Sequence, residues 1–209
     1  MKINEIFYSI QGEGLWTGLP NIFIRTTGCN LRCSYCDTKY AYFKGKNLTV
    51  ENILEKIRQY RCKNVCITGG EPLLQEEIYD LIYELIKENY NVSIETNGSM
   101  NIEKLYSIKK LLISLDMKCP SSNMENRNLY ENINYLRKKD QLKFIINDKK
   151  DYVFAKQIIM DYKPDCNIIF QPVWETDPKK LANWVISDKL DVRFGLQLHK
   201  VLWGDQKKK

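Results

Sequence analysis

Short β-branched runs alternate with amphipathic stretches through most of this 209-residue chain, and that alternation narrows its fold more than any other feature. Residues 21–27 (NIFIRTT), 64–68 (NVCIT), 91–96 (NVSIET) and 111–116 (LLISLD) are expected as strands, as are 141–146 (QLKFII), 167–171 (NIIFQ) and 192–198 (VRFGLQL). Between them, residues 75–90 place Ile78, Leu81, Ile82, Leu85 and Ile86 on one helical face. Residues 49–60 open with a Thr cap and a Glu two positions later, then space Ile53, Leu54 and Ile57 at helical intervals. Residues 151–162 and 177–187 are further helices. Parallel neighbours need long crossovers, so the alternation predicts parallel strands joined by helices. Six or seven strands fall short of the eight in a closed β/α barrel of about 250 residues. The expected class is therefore α/β, an incomplete TIM-like β/α barrel, organised as one domain over residues 1–209. In such folds chemistry sits at the carboxyl ends of the strands. TGGEP, ETNG, SLDMK and QP each follow or end an apolar run in that way.

Charge and hydropathy exclude several classes. The formal charge is +6, but Lys207, Lys208 and Lys209 supply half of it. The remainder reads as spread through mixed-sign helical stretches, without the concentrated basic face of a nucleic-acid binder. No nucleic-acid partner is expected, only a modest pull on anionic small molecules. The basic end, 205–209, reads as frayed. No apolar run approaches the roughly 18 residues of a membrane helix. The opening MKINE puts an acid where a signal peptide has its apolar stretch, so a cytoplasmic protein with no membrane partner is expected.

The chain has seven cysteines. In a reducing compartment these are thiols, available for metal ligation, catalysis or packing. Cys29, Cys33 and Cys36 fall within eight residues, in a C-x3-C-x2-C spacing. A cubane cluster takes one thiolate per iron. Three on one loop hold three irons and leave the fourth open to a chelating ligand. A structural zinc would want a fourth protein ligand, and neither His199 nor another cysteine shows paired spacing with this loop.

The Cys motif, with Tyr35 as the aromatic before its last cysteine, and GGEP at 69–72 resemble the radical S-adenosylmethionine (SAM) superfamily. The resemblance implies a [4Fe-4S] cluster on Cys29, Cys33 and Cys36, with SAM chelating the open iron. One electron then breaks the sulfonium bond and yields a 5′-deoxyadenosyl radical. It also implies that Tyr35, Gly69, Gly70, Glu71, Glu95, Asn97, Ser114 and Gln171 bind SAM. The glycines would let backbone come close to that ligand.

The stretch 8–41 (YSIQGEGLWTGLPNIFIRTTGCNLRCSYCDTKYA) resembles the 7-carboxy-7-deazaguanine synthase family. SLDMKCPSS (114–122), LKFIIND (142–148), FQPVW (170–174) and LQLHKVLW (196–203) follow in that family's order. The resemblance implies conversion of 6-carboxy-5,6,7,8-tetrahydropterin to 7-carboxy-7-deazaguanine with loss of ammonia, on the route to queuosine, archaeosine or another deazapurine. Gln11, Gly12, Glu13, Gly14, Arg25, Gln197 and His199 would bind the pterin. Arg25 suits its carboxylate, Glu13 its N–H edge, and the two glycines would let the loop lie against a flat ring. Lys200 would point away if 192–198 continues as a strand. Thr38 is implied as the Mg²⁺ ligand. Also implied are a flavodoxin- or ferredoxin-type electron donor and a homodimer, with Trp174, Trp184 and Trp203 as interface candidates. Cys62, Cys66, Cys119 and Cys166 read as structural thiols, although Cys119 interrupts a loop near the expected site. The competing function is an activase that installs a glycyl radical on a partner protein.

Overall fold

The computed structural model describes residues 1–204 and 206. Lys207, Lys208 and Lys209, read above as part of a frayed end, lie outside the described residues.

The strands are β1 (Lys2–Ile10), β2 (Pro20–Thr26), β3 (Lys46–Asn47), β4 (Asn64–Gly69), β5 (Asn91–Thr96), β6 (Leu112–Met117), β7 (Gln141–Ile146), β8 (Asn167–Pro172) and β9 (Arg193–Phe194). They form one sheet in the order β3-β1-β2-β4-β5-β6-β7-β8-β9. From β2 to β9 every pairing is parallel. The helices are α1 (Val50–Arg58), α2 (Ile78–Lys87), α3 (Glu103–Tyr106), α4 (Lys149–Tyr162), α5 (Pro178–Ser187) and α6 (Leu198–Trp203). The incomplete barrel expected from the alternation is the fold observed.

Local chemistry sets the element boundaries. Thr49 caps α1 by accepting from the Asn52 amide at 3.2 Å, and Asp148 caps α4 by accepting from the Asp151 amide at 3.0 Å. Asp177 caps α5, with Pro178 in the first turn. The apolar stripe expected on 75–90 packs inward, but α2 begins only at Ile78. Gln75 is held outside the helix, its side chain accepting from the Lys2 amide at 2.7 Å and donating to the Thr27 carbonyl at 2.9 Å.

Two features depart from the expectation. β1 pairs antiparallel with β2, placing Phe7 beside Phe23 with ring centroids 4.9 Å apart. Its polar residues Lys2, Asn4 and Glu5 and a bulge between Ile3 and Glu5 hide it from pattern reading. At the other edge, the strand expected over 192–198 shrinks to β9. The chain then leaves the sheet: Leu198 donates its amide to the Gly12 carbonyl at 2.9 Å, and α6 begins.

Of the structural thiols, Cys119 is fully buried and Cys66 nearly so. Burial pushes the Cys66 and Cys166 thiols up to about 12 and the Cys119 thiol well above its usual range. Such groups are inert packing. Trp184, partly buried, packs on Tyr152 at 5.4 Å, against the core.

Candidate active site at the carboxyl edge of the sheet

The carboxyl ends of the parallel strands surround a cavity of about 680 Å³. Strand pairing explains its polar floor. Side chains two apart share a face, and in β5, β6 and β7 these are Ser93 and Glu95, Ser114 and Asp116, Gln141 and Lys143. The parallel register sets Glu95 beside Ser114, Ser114 beside Gln141, and Asp116 beside Lys143. Ser114 donates to Glu95 Oε2 at 2.7 Å and accepts from Gln141 Nε2 at 2.6 Å. The opposite faces of these strands carry the apolar core.

Lys143 is the hub of this floor. Its Nζ lies 2.7 Å from Glu13 Oε2, 3.3 Å from Glu95 Oε2 and 3.2 Å from Asp116 Oδ1, while Lys118 Nζ reaches Asp116 Oδ2 at 3.0 Å. Burial pushes the Glu13 carboxyl up, but the Lys143 ammonium, helped by His199 and a hydrogen bond from Gln197, outweighs it and holds the group at about 2. For Glu95 burial wins: its carboxyl lies above the usual range despite Lys143. Asp116 is desolvated too, yet Lys118 and Lys143 hold it low.

The segment 11–14 and α6 meet over this floor. Gln197 Nε2 donates to Glu13 Oε1 at 2.8 Å. A Cβ on Gly12 would fall 2.0 Å from His199 Nδ1, so glycine there makes room for the imidazole. Gly14, at φ +74°, gives its space to the Gln141 side chain. The space beside each of these two glycines is thus filled by a protein side chain. Because α6 is a helix, Lys200 also lines the cavity, 3.6 Å from Asp37, against the strand-based reading. Arg25 lines it as well. Its Nε donates to Glu5 Oε1 at 2.8 Å, and among the described residues its Nη atoms carry no hydrogen bond.

Gln11, Gly12, Glu13, Arg25, Gln197 and His199 share the cavity with Cys29, Cys33, Cys36, Tyr35, Thr38, Gly69, Gly70, Glu95, Asn97 and Gln171. Gly14, Glu71 and Ser114 stand behind its wall. Glu71, fully buried, accepts from the Leu73 amide at 3.0 Å, Thr96 Oγ1 at 2.9 Å and the Asn97 amide at 2.7 Å, so it ties the GGEP turn to ETNG. At Gly70 a Cβ would fall 2.0 Å from the Gly28 carbonyl oxygen, and at Gly69 one would meet Thr26. These glycines pack the turn onto the Cys loop. Missed from the sequence were Thr68, Asp116, Lys118, Lys143 and Lys200. Polar residues two apart inside apolar strands were the signal that could have found Asp116 and Lys143.

The cysteine loop suits a multi-iron cluster. Among the described residues no three His, Cys, Asp or Glu side chains gather around one point as a single ion requires. A cubane instead offers each thiolate its own iron. Burial raises the Cys33 thiol, Lys118 opposes, and Cys36 and Cys29 add to the rise; bound cationic iron would relieve that crowding. Asn97 Nδ2 approaches Cys29 Sγ at 3.7 Å. Gln171, nearly fully buried, lines the cavity with its Oε1 unpartnered among the described residues, an acceptor open to a ligand.

Comparison with known proteins decides the family. The radical SAM superfamily model matches residues 23–146. Relatives named 7-carboxy-7-deazaguanine synthase include that of Thermoplasma acidophilum, 38% identical over 98% of this chain and 98% of that protein. The one from Methanospirillum hungatei is 42% identical over 97% and 85%. The chain belongs to the 7-carboxy-7-deazaguanine synthase family. The crystal structure of QueE from Escherichia coli shares its fold, with a TM-score of 0.80 and 24% identity over 95% of this chain and 94% of that one. Streptococcus suis SuiB with its precursor peptide SuiA shares it more distantly, at a TM-score of 0.61, 13% identity, and 86% and 49% coverage. As radical SAM enzymes, members of the synthase family use a [4Fe-4S] cluster and SAM.

Proposed function

We propose that this chain converts 6-carboxy-5,6,7,8-tetrahydropterin to 7-carboxy-7-deazaguanine, with loss of ammonia, as a radical SAM lyase of 7-deazapurine biosynthesis. The observation that carries this reading is the meeting of Glu13, Gln197, His199 and Arg25 in one cavity with the three cysteines. The cavity volume lies in the range of small-molecule sites. Nothing favours the activase alternative.

Bound, the cluster and SAM supply the radical; the chain's own residues bind and orient. Glu13 is held ionised, so its oxygens can accept from the amino-pyrimidine edge. Gln11 and Gln197 offer both donors and acceptors, and His199 closes over the same group. Arg25, fixed by Glu5 through Nε, keeps Nη atoms for a carboxylate. Gly69, Gly70, Tyr35, Asn97 and Gln171 would hold SAM beside the cysteines, with Glu71 and Ser114 supporting them from behind. Thr38 would hold Mg²⁺ with substrate oxygens and waters, and Asp37, accepting from Thr38 Oγ1 at 2.8 Å, stands next to it.

One sheet holding every described strand supports a single-domain organisation. No described helix is long and apolar enough to cross a membrane. We read the enzyme as a cytoplasmic homodimer fed by a flavodoxin- or ferredoxin-type donor, on the strength of its family.

The test is anaerobic. The protein is reconstituted with iron and sulfide, then given SAM, reductant, Mg²⁺ and 6-carboxytetrahydropterin, and products are weighed. The expected outcome is 7-carboxy-7-deazaguanine together with 5′-deoxyadenosine. 5′-Deoxyadenosine without the deazapurine would keep the radical chemistry and reject the substrate.

A further inference from the structure

A closed ring of three side chains joins the turn after β5 to the cysteine loop. Asn97 Oδ1 accepts from the Ser99 amide at 3.0 Å and from Ser99 Oγ at 2.6 Å. Ser99 Oγ accepts in turn from Asn30 Nδ2 at 2.8 Å, and Asn30 Oδ1 accepts from Asn97 Nδ2 at 3.0 Å. Gly98, at φ +75°, makes the reversal that brings Ser99 back over Asn97. Asn30 directly follows the first cysteine of the loop.

The ring leaves one donor over. A carboxamide has two N–H groups. Asn97 gives one to Asn30, and its Nδ2 also stands 3.7 Å from Cys29 Sγ, within reach of an N–H···S bond. The chain itself fixes which end of the carboxamide faces the sulfur. The Ser99 backbone amide can only donate, so it must meet Oδ1, and Nδ2 is left toward Cys29. Asn97 is buried, and both ends of its carboxamide are engaged within the protein. Any contact of Asn97 with SAM is then a contact of its backbone. The Leu31 amide reaches the same sulfur at 3.4 Å, so Cys29 faces two N–H donors.

We propose that the Asn97 side chain donates an N–H···S bond to Cys29 that raises the reduction potential of the cluster, and that Asn30 and Ser99 are the positioning residues that aim it. Reduction adds one electron, taken from an external one-electron reductant, and makes and breaks no bond. It places more negative charge on the irons and their thiolates, and a donor aimed at a thiolate favours the more negative state. Burial keeps water from competing for the sulfur, and the closed ring polarises the carboxamide further. The inference rests on Cys29, Cys33 and Cys36 holding the cluster and is independent of the pterin.

The test is a redox titration of the cluster-loaded protein, followed by electron paramagnetic resonance, without SAM or pterin. Asn97→Leu keeps the approximate bulk and removes the donor. Reduction should become about three- to tenfold less favourable, a fall in midpoint potential of about 30–60 mV for one electron. Ser99→Ala removes the hydroxyl but leaves the backbone amide on Asn97, so its fall should be smaller. Asn132→Ala is the control. Asn132 ties the same turn from its other side, donating to the Gly98 and Met100 carbonyls at 3.1 and 2.8 Å and accepting from the Ile102 amide at 3.2 Å. Its loss loosens the turn without removing a donor from the sulfur, and the potential should stay at the wild-type value. Iron and sulfide content is measured alongside. A wild type that takes up neither would overturn the cluster assignment and this inference with it. A loaded Asn97→Leu at the wild-type potential, or an equal fall in Asn132→Ala, overturns this inference alone. If Asn97→Leu fails to load, Ser99→Ala decides: a lowered potential upholds the proposal and an unmoved one ends it.

Discussion

Lys143 reaches from β7 between Glu13, Glu95 and Asp116, and its ammonium makes three carboxylates in one cavity tolerable. Lys143→Met would leave Glu13 without its ion-pair partner, a change that costs about 3–5 kcal/mol when the pair is buried. The pH response should change as well. In the wild type the Glu13 carboxyl is depressed to about 2 from 4.5, so its contribution to stability is present above the higher value and fades as pH falls between the two. Recognition of the pterin by ionised Glu13 should therefore be independent of its titration in neutral and mildly acid solution. Without Lys143 the burial effect prevails, Glu13 takes up a proton at higher pH, and pterin affinity should fall as the solution is acidified. Titrations of pterin binding across mildly acid pH check this; a flat profile in the variant would mean that Lys143 does not hold Glu13 ionised. At Arg25 the expectation is simpler. Arg25→Ala removes a charge-assisted contact worth roughly 1.5–3 kcal/mol, about ten- to a hundredfold in pterin affinity, while SAM cleavage persists. Unchanged affinity would make Arg25 a partner of Glu5 alone.

At the scale of elements, the turns after β4 and β5 are joined by one buried carboxylate. Glu71→Gln leaves a single oxygen for three donors and turns an N–H₂ toward them. The loss should be about 1–3 kcal/mol in unfolding free energy, read by urea denaturation. Loosening of Asn97 against Cys29 should accompany it. This tie was not legible in the sequence, where Glu71 read as a ligand residue, because three donors from two turns converge only after β4 and β5 pair. The strands at 64–68, 91–96 and 141–146 were legible, since β-branched and other apolar residues recur along each, Val92 and Ile94 in one and Leu142, Phe144 and Ile146 in another. Lys143 and Asp116 interrupt such runs, and their meaning depends on the register that sets them side by side. The stretch after β9 misled for a related reason. LQL alternates like a strand, but the amide of Leu198 is taken by Gly12, and no neighbour continues the sheet.

For the molecule as a whole, the sheet stays open and the cavity is closed by the meeting of segment 11–14 with α6. The Leu198 amide on the Gly12 carbonyl, the Gln197 side chain on Glu13 and the His199 ring over Gly12 form that closure. It depends on the missing side chain of Gly12. Gly12→Ala would drive a methyl group into the imidazole, an overpacking that costs about 1–3 kcal/mol. The cost falls first on the pterin side, because the overlap is with His199; the cysteine loop meets the closure at Asp37, 3.4 Å from Gln197 Nε2 and 3.6 Å from Lys200 Nζ. The variant should bind pterin about ten- to a hundredfold more weakly. It should still load its cluster and cleave SAM to 5′-deoxyadenosine without forming the deazapurine. Binding titrations beside an uncoupled-cleavage assay separate the two halves of the cavity. If cleavage falls in step with pterin affinity, the closure also shapes the SAM half, and the division of labour between β1 with α6 and the cysteine loop is wrong.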